Sequence, residues 1–227
     1  ARPIQDHPIC TVWEQHIAAS KTLEQMKNLI IIPTYNELDN IRPMIDKVFS
    51  LPEKFDLLVI DDGSPDGTAA IVKEKQQQYP GQLHLIERSG KLGLGTAYLT
   101  GFQWALDNGY DYVFEMDCDF SHYPDDLVRL LKAALDGSDL VIGSRYITGV
   151  NVVNWPMKRV LLSYYASAYV RIVTGMPVRD ATAGFVCYSA NLLRKIDLSK
   201  IRMKGYGFQI EMKYTCLLYT SDAADEL

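Results

Sequence analysis

The chain has 227 residues and a mass of 25.7 kDa, and its 48% hydrophobic and 22% charged residues suit one sizeable folded core and exclude a disordered or collagen-like protein. A formal charge of -5 argues against a general nucleic-acid binder, which needs a net basic face, and leaves any anionic ligand to local cations. Cys10, Cys118, Cys187 and Cys216 form no C-x-x-C pair, which indicates neither zinc nor a disulfide framework and points to a reducing compartment.

Residues 1–28 show no clean period and no signal-peptide order, and are read as an N-terminal extension. In "NLIIIPTYNE" the continuous apolar run from Leu29 to Ile32 predicts a strand buried on both faces and ended by Pro33. Leu38, Ile41, Ile45, Val48 and Phe49 follow at helical spacing, with Pro43 placed near the first turn. "FDLLVID" predicts a second strand, "GTAAIVKEKQQQY" a polar-faced helix and "QLHLIER" a third strand. Leu94, Ala97, Tyr98, Gly101, Phe102, Ala105 and Leu106 fit the i, i+3, i+4, i+7 pattern of an amphipathic helix best of all.

"YDYVFEMD" predicts a fourth strand, Leu127, Leu130, Leu131, Ala134 and Leu135 another helix, and "DLVIGSR" a fifth strand. Beyond Arg145 the rhythm changes to a polar loop, a long helical run from Trp155 to Thr174 and a further strand in "TAGFVCYS". That run includes "VLLSYYASAYV", which is too short to cross a membrane; no apolar stretch in the chain reaches the ~20 residues that a crossing needs. "FQIEMKY" reads as helix, and "CLLYTSDAADEL" (216–227) carries no turn signal and no assignment. Strands and helices in alternation imply one domain, 29–215, with a mostly parallel sheet covered by helices on both faces.

In open α/β sheets ligands gather at the carboxyl ends of the strands. Here those ends carry Glu37, then Asp61, Asp62 and Asp66, then Asp117 and Asp119, then Arg145. Two aspartates at i and i+2 just past a strand suit a hard cation such as Mg²⁺ or Mn²⁺, which would clamp a diphosphate. They also suit a solvated strand end, and both readings stand at this point. Asp125 and Asp126 read as the acidic first turn of a helix. "DDGSPDGT" reads as a turn with Asp66 or Thr68 capping a helix. "KLGLGTA" lacks the third glycine of a dinucleotide site and follows the wrong strand, which argues against a dehydrogenase. A lone loop histidine, His122, is not assigned a role.

"IIIPTYNE", "VIDDGSPDGT", "GKLGLGTAY", "MDCDFSHYP", "IGSRY" and "GYGFQIE", in this order across residues 28–214, resemble the polyprenol (dolichol) monophosphate mannosyltransferases of glycosyltransferase family 2. The resemblance implies the GT-A fold, a Rossmann-like single domain whose D-x-D motif holds Mg²⁺ or Mn²⁺ on a sugar nucleotide. It implies metal and diphosphate roles for Asp117 and Asp119, and guanine-nucleotide contacts at Pro33, Tyr35, Glu37, Ile60 and Asp62, with Met116 and Cys118 lining the same cleft. Arg145, Arg159 and Ser163 match positions that bind the acceptor phosphate or steady the sugar, and guanidinium forks suit phosphate. Without the resemblance, Arg159 reads as an ordinary surface cation.

The implied reaction is inverting transfer of mannose from GDP-mannose to a polyprenyl or dolichyl monophosphate, at the cytoplasmic face of a membrane or in the cytoplasm. "WPMKRVLLSYYASAYVRIV" suits either a peripheral interfacial helix or a plain core helix. Two other readings stay open: a UDP-sugar-dependent transferase of the same family, acting on a polyprenyl phosphate or a glycan, and a noncatalytic sugar-nucleotide sensor or scaffold. Members of the family continue past "FQIE" into a strand and a basic loop, whereas here "TCLLYTSDAADEL" follows; a truncated or foreign tail with weakened activity is expected.

Overall fold

The strand β1 (Asn28–Thr34) lies near the centre of the sheet, and its Leu29, Ile30, Ile31 and Ile32 have no exposed surface. The computed structural model that shows this describes residues 25–146, 157–220 and 225–226. After β1 come α1 (Leu38–Phe49), β2 (Asp56–Asp61), α2 (Thr68–Gln76), β3 (Leu83–Glu87), α3 (Leu94–Asp107), β4 (Tyr112–Glu115), α4 (Asp126–Leu135) and β5 (Leu140–Ile142). The chain then forms α5 (Met157–Thr174), β6 (Val186–Ser189), α6 (Ala190–Lys195), a 3₁₀ turn (Leu198–Lys200), α7 (Tyr206–Tyr219) and a two-residue strand β7 (Asp225–Glu226).

The sheet order is β3-β2-β1-β4-β6-β5-β7. The run β3-β2-β1-β4 is parallel, and β6 runs antiparallel to both β4 and β5. Because β1 is buried on both sides, its alternate residues feed two cores. Leu29 and Ile31 join α3, α6 and α7 through Phe102, Leu192 and Phe208. Ile30 and Ile32 join α1, α2 and α4 through Ile45, Val72 and Leu130. The mostly parallel sheet with helices on both faces is thus present. Gly101 lets α3 sit close on it: a Cβ there would stand 2.7 Å from the Ile31 side chain.

Two local expectations change. Pro33 does not end β1, which continues to Thr34, with Pro33 opposite Ile60. Pairing with β4 stops at Ile31 and Glu115, so the strand is flanked on one side only at Pro33, where a missing N–H is tolerated. Pro43 is the sixth residue of α1, beyond the first turn; it and Asp39, whose carbonyl it leaves without an i+4 donor, are exposed to water. At the other end, residues 216–219 continue α7, and Cys216 is buried in the core. Most of the N-terminal extension, Cys10, Trp155 and residues 221–224 lie outside the described residues. No helix of the described residues is long and apolar enough to cross a membrane.

Candidate active site

The chain leaves β1 for β2 on one side and returns to β4 on the other, so the carboxyl ends of β1 and β4 form the switch point where an α/β sheet opens a crevice. A cavity of about 230 Å³ lies there, lined by Pro33, Thr34, Tyr35 and Glu37, by Asp62, by Lys91, Gly93 and Leu94, and by Asp117, Cys118 and Asp119.

The "DDGSPDGT" loop holds the rim in shape. Asp61 accepts from Thr34 Oγ1 at 3.0 Å, Ser64 N at 2.9 Å and Ser64 Oγ at 2.5 Å. Asp66 accepts from Leu38 N at the start of α1 and from Thr68 N and Oγ1 at the start of α2. Gly67, at φ 95°, makes the turn between them. The capping role expected of Asp66 is present, and it joins two helices. Asp62 differs from its neighbour: it reaches the cavity, and its Oδ1 takes Arg88 in a buried ion pair at 2.5 Å. Arg88 in turn donates to Thr96 Oγ1 and Gly93 O, tying the loops after β2 and β3 to α3. Glu37 accepts from Asn40 Nδ2 at 2.8 Å.

Asp117 and Asp119 stand together at the cavity, as their spacing suggests. Burial, and next the charge of Asp119, push the Asp117 carboxyl up to about 6. Asp119 is exposed and accepts from Ser121 N at 3.0 Å, across Phe120 at the left-handed φ of 56°. Gly184 brings backbone close to the pair, since a Cβ there would lie 3.5 Å from Asp117 Oδ2. No three His, Cys, Asp or Glu side chains form a closed cage among the described residues. A cation at this pair would therefore draw further ligands from diphosphate and water, the habit of Mg²⁺. Two adjacent carboxylates, one of them resisting ionisation through burial and then through the charge of the other, fit a hard divalent ion.

The segment "RDATAGF" organises the other side. Asp180, fully buried, accepts from Arg145 Nε at 2.7 Å and NH2 at 2.6 Å as well as from its backbone N–H. Arg145 NH2 also donates to Thr182 Oγ1 at 2.8 Å, and Thr182 Oγ1 lies 3.4 Å from Ser163 Oγ on α5. Arg145 and Ser163 are thus brought into one chain of contacts. Arg159 lies on α5 and its side chain is outside the described residues. His122 stacks on Phe185 at 5.0 Å, and burial, then Arg145, lower its pKa to about 4. It is a poor proton acceptor at neutral pH.

Beneath the carboxylates, Glu115 accepts from Tyr188 at 3.3 Å and Gln209 at 2.7 Å. Lys213, with no exposed surface, donates to Ala183 O at 2.6 Å and to Gln209 Oε1 at 2.9 Å. Burial pushes the Glu115 carboxyl up and the Lys213 ammonium down, each partly offset by the opposite charge of the other. Of the expected site residues, Pro33, Tyr35, Glu37, Asp62, Asp117, Cys118 and Asp119 line the cavity. Ile60 and Met116 do not: each is fully buried, packing into opposite cores.

Asp180, Lys91 and Lys213 were not marked by sequence reasoning. Lys91 lines the cavity, with its Nζ 4.5 Å from the Tyr35 ring centroid. Its signal was present in "GKLGLGTAY", a cation beside glycines after a strand.

Residues 29–202 match the family model described as Glycosyl transferase family 2. The polyprenol monophosphomannose synthase of Mycolicibacterium smegmatis is 46% identical over 191 residues, 84% of this chain and 72% of that protein. The undecaprenyl-phosphate mannosyltransferase of Micrococcus luteus is 45% identical over 189 residues, 83% of this chain and 77% of that protein. Among solved structures, glucosyl-3-phosphoglycerate synthase from Mycobacterium tuberculosis in complex with UDP gives a TM-score of 0.64 at 21% identity, covering 98% of this chain and 75% of that one. The same synthase is also known with Mn²⁺, UDP-glucose and phosphoglyceric acid. Likeness at that identity establishes the fold, which is GT-A.

Proposed function

This chain belongs to glycosyltransferase family 2 and is a glycosyltransferase; from that premise we propose that it moves mannose from GDP-mannose to a polyprenyl or dolichyl monophosphate with inversion. The observation that carries this reading is the meeting of the Asp117 and Asp119 carboxylates with Lys91 in one cavity at the switch point. The two relatives, both about 45% identical, support the choice of sugar and acceptor.

Asp117 and Asp119 would hold Mg²⁺ or Mn²⁺. When bound, the ion neutralises charge on the departing diphosphate. Lys91 adds a second positive charge on the same side. Glu37 and Asp62 accept N–H or O–H groups of the nucleotide. The acceptor phosphate, largely dianionic at neutral pH because its second pKa is about 6, needs no strong base, which accords with a His122 that binds protons weakly.

Arg145, oriented by Asp180, together with Arg159 and Ser163 would hold that phosphate in line. Its oxygen forms the new bond to the anomeric carbon as the bond to the diphosphate breaks on the opposite face, which inverts the centre. Catalysis then rests on placement and electrostatics.

Ser163 faces Thr182, whereas Leu161, Tyr165, Tyr169 and Ile172 form an exposed face of the same helix. A lipid chain leaving the phosphate would run past α5 toward a bilayer, and the enzyme would dock there peripherally, on the cytoplasmic side.

Incubation with GDP-[³H]mannose, Mn²⁺ and a short polyprenyl phosphate should place label in the organic extract, and chelator or Asp119→Ala should abolish it. Label transferred only from a UDP-sugar would assign the other donor. Nucleotide binding with no transfer to lipid would favour a sensor.

A further inference from the structure

Lys213 sits on α7 with no exposed surface, and its ammonium meets only neutral acceptors: Ala183 O at 2.6 Å, Gln209 Oε1 at 2.9 Å and Gln209 O at 3.4 Å. Gln209 Nε2 in turn donates to Glu115 Oε2 at 2.7 Å, two residues before Asp117. A buried ammonium loses its hydration, and core packing alone would select an apolar side chain here. A hydrogen bond from a charged donor is roughly twice as strong as a neutral one, so the Ala183 carbonyl is held more firmly than a loop carbonyl usually is.

Ala183 lies within a short segment that touches both halves of the site. Before it, Asp180 grips Arg145, and Thr182 Oγ1 accepts from Arg145 NH2. After it, Gly184 packs on Asp117, where a Cβ would stand 3.5 Å from Oδ2, and Phe185 O accepts from Gly143 N at 2.8 Å. The contacts close a ring: Gly184 against Asp117, Ala183 to Lys213, Lys213 to Gln209, Gln209 to Glu115, and along the chain back to Asp117. Resting on the reading of Asp117 as a metal residue and Arg145 as an acceptor-phosphate residue, we infer that Lys213 is a positioning residue that sets the spacing of these two halves through the Ala183 carbonyl. Fully buried and outside the cavity lining, it acts on the site only through other residues.

Lys213→Met keeps an unbranched chain in the core and removes the donors. Its Mn²⁺ affinity in the presence of GDP, read from the free-Mn²⁺ electron paramagnetic resonance signal, should fall roughly tenfold, and its KM for a short prenyl phosphate should rise by a similar factor. Loss of the buried charge by itself would draw the cation in more tightly, so weaker binding reports placement. Lys213→Gln retains a neutral donor, should fall between wild type and Lys213→Met in both constants, and serves alone if Lys213→Met does not fold. Val72→Ala, which opens a cavity in the core on the other face of the sheet, should lose stability and keep both constants.

A shift in one constant without the other, a shift in neither, tighter Mn²⁺ binding, or an equal shift in Val72→Ala overturns the inference. Asp119→Ala, titrated in parallel, separates the two levels. Loss of Mn²⁺ binding there, with unchanged constants in Lys213→Met, sinks the role of Lys213 alone. Normal Mn²⁺ binding in Asp119→Ala sinks the metal reading, and the inference with it.

Discussion

Asp180 grips Arg145 with both carboxylate oxygens, at 2.6 and 2.7 Å, with Asp180 wholly out of water and only 10% of the Arg145 side chain exposed. The pair spans 35 residues of sequence and closes because β6 runs back along the sheet, antiparallel to β5. A guanidinium so held has a fixed plane and presents one geometry to a phosphate.

Asp180→Asn should therefore affect fold and turnover together. Removing one charge from a buried pair leaves the other uncompensated, which costs about 3–5 kcal/mol; chemical denaturation measures this. Transfer to lipid should fall by at least about tenfold, since 1.4 kcal/mol of misplacement suffices. GDP affinity should hold, because Arg145 does not line the cavity that holds Asp117 and Asp119. Loss of GDP binding in a folded variant would show that Arg145 serves the donor side instead.

The helices α1, α3 and α4 were legible in the sequence because each has one buried face, and apolar spacing records that directly. The D-x-D pair was legible because proximity along the chain ensures proximity in space. Asp180 was not, since nothing local distinguishes an aspartate that meets an arginine from a loop 35 residues away. Lys213 reads as an exposed residue by type, and only packing of α7 over Ala183 buries it. Ile60 and Met116 show the reverse limit: a position beside a cleft can still turn its side chain into the core.

The buried set of Glu115, Gln209 and Lys213 should behave as a unit. Lys213→Met leaves the Ala183 carbonyl and the Gln209 amide oxygen without their donor, at about 1–3 kcal/mol. Adding Glu115→Gln to that variant should cost much less than Glu115→Gln costs alone, because the carboxylate no longer has a cation to lose. A double-mutant cycle by urea denaturation should give a coupling of about 1–3 kcal/mol. Additive effects would show that Gln209 insulates the two charges.

His122 makes stability depend on acid. Burial, and next Arg145, hold its pKa near 4 against an ordinary 6.5, so between those values the unfolded chain binds more protons than the native one. Stability from this group is complete above pH 6.5 and is lost as pH falls toward 4, by up to about 3 kcal/mol. His122→Phe, which keeps a ring against Phe185, should flatten the fall in melting temperature between pH 6.5 and 4 relative to wild type. An unchanged slope would mean that His122 titrates normally and is open to solvent.

The exposed face of α5 gives the last prediction. Tyr165 and Ile172 are 65% and 83% exposed, and with Leu161 and Tyr169 they form one stripe at i, i+4, i+8 and i+11, beside an exposed Lys158. The sequence left open a core helix or an interfacial one, since apolar spacing does not reveal what covers it. Tyrosines flanked by cations suit the headgroup boundary of a bilayer.

Tyr165→Glu with Ile172→Glu removes apolar contact and adds repulsion from anionic lipid. Because neither side chain is buried, folding stability should move by no more than about 0.5 kcal/mol. Sedimentation with vesicles of phosphatidylcholine and phosphatidylglycerol should lose the protein to the supernatant. Transfer to a long prenyl phosphate in those vesicles should fall, while transfer to a short, water-soluble prenyl phosphate should persist. Equal loss on both acceptors would place these side chains in the catalytic chemistry, and no loss on either would leave α5 without a part in reaching the lipid.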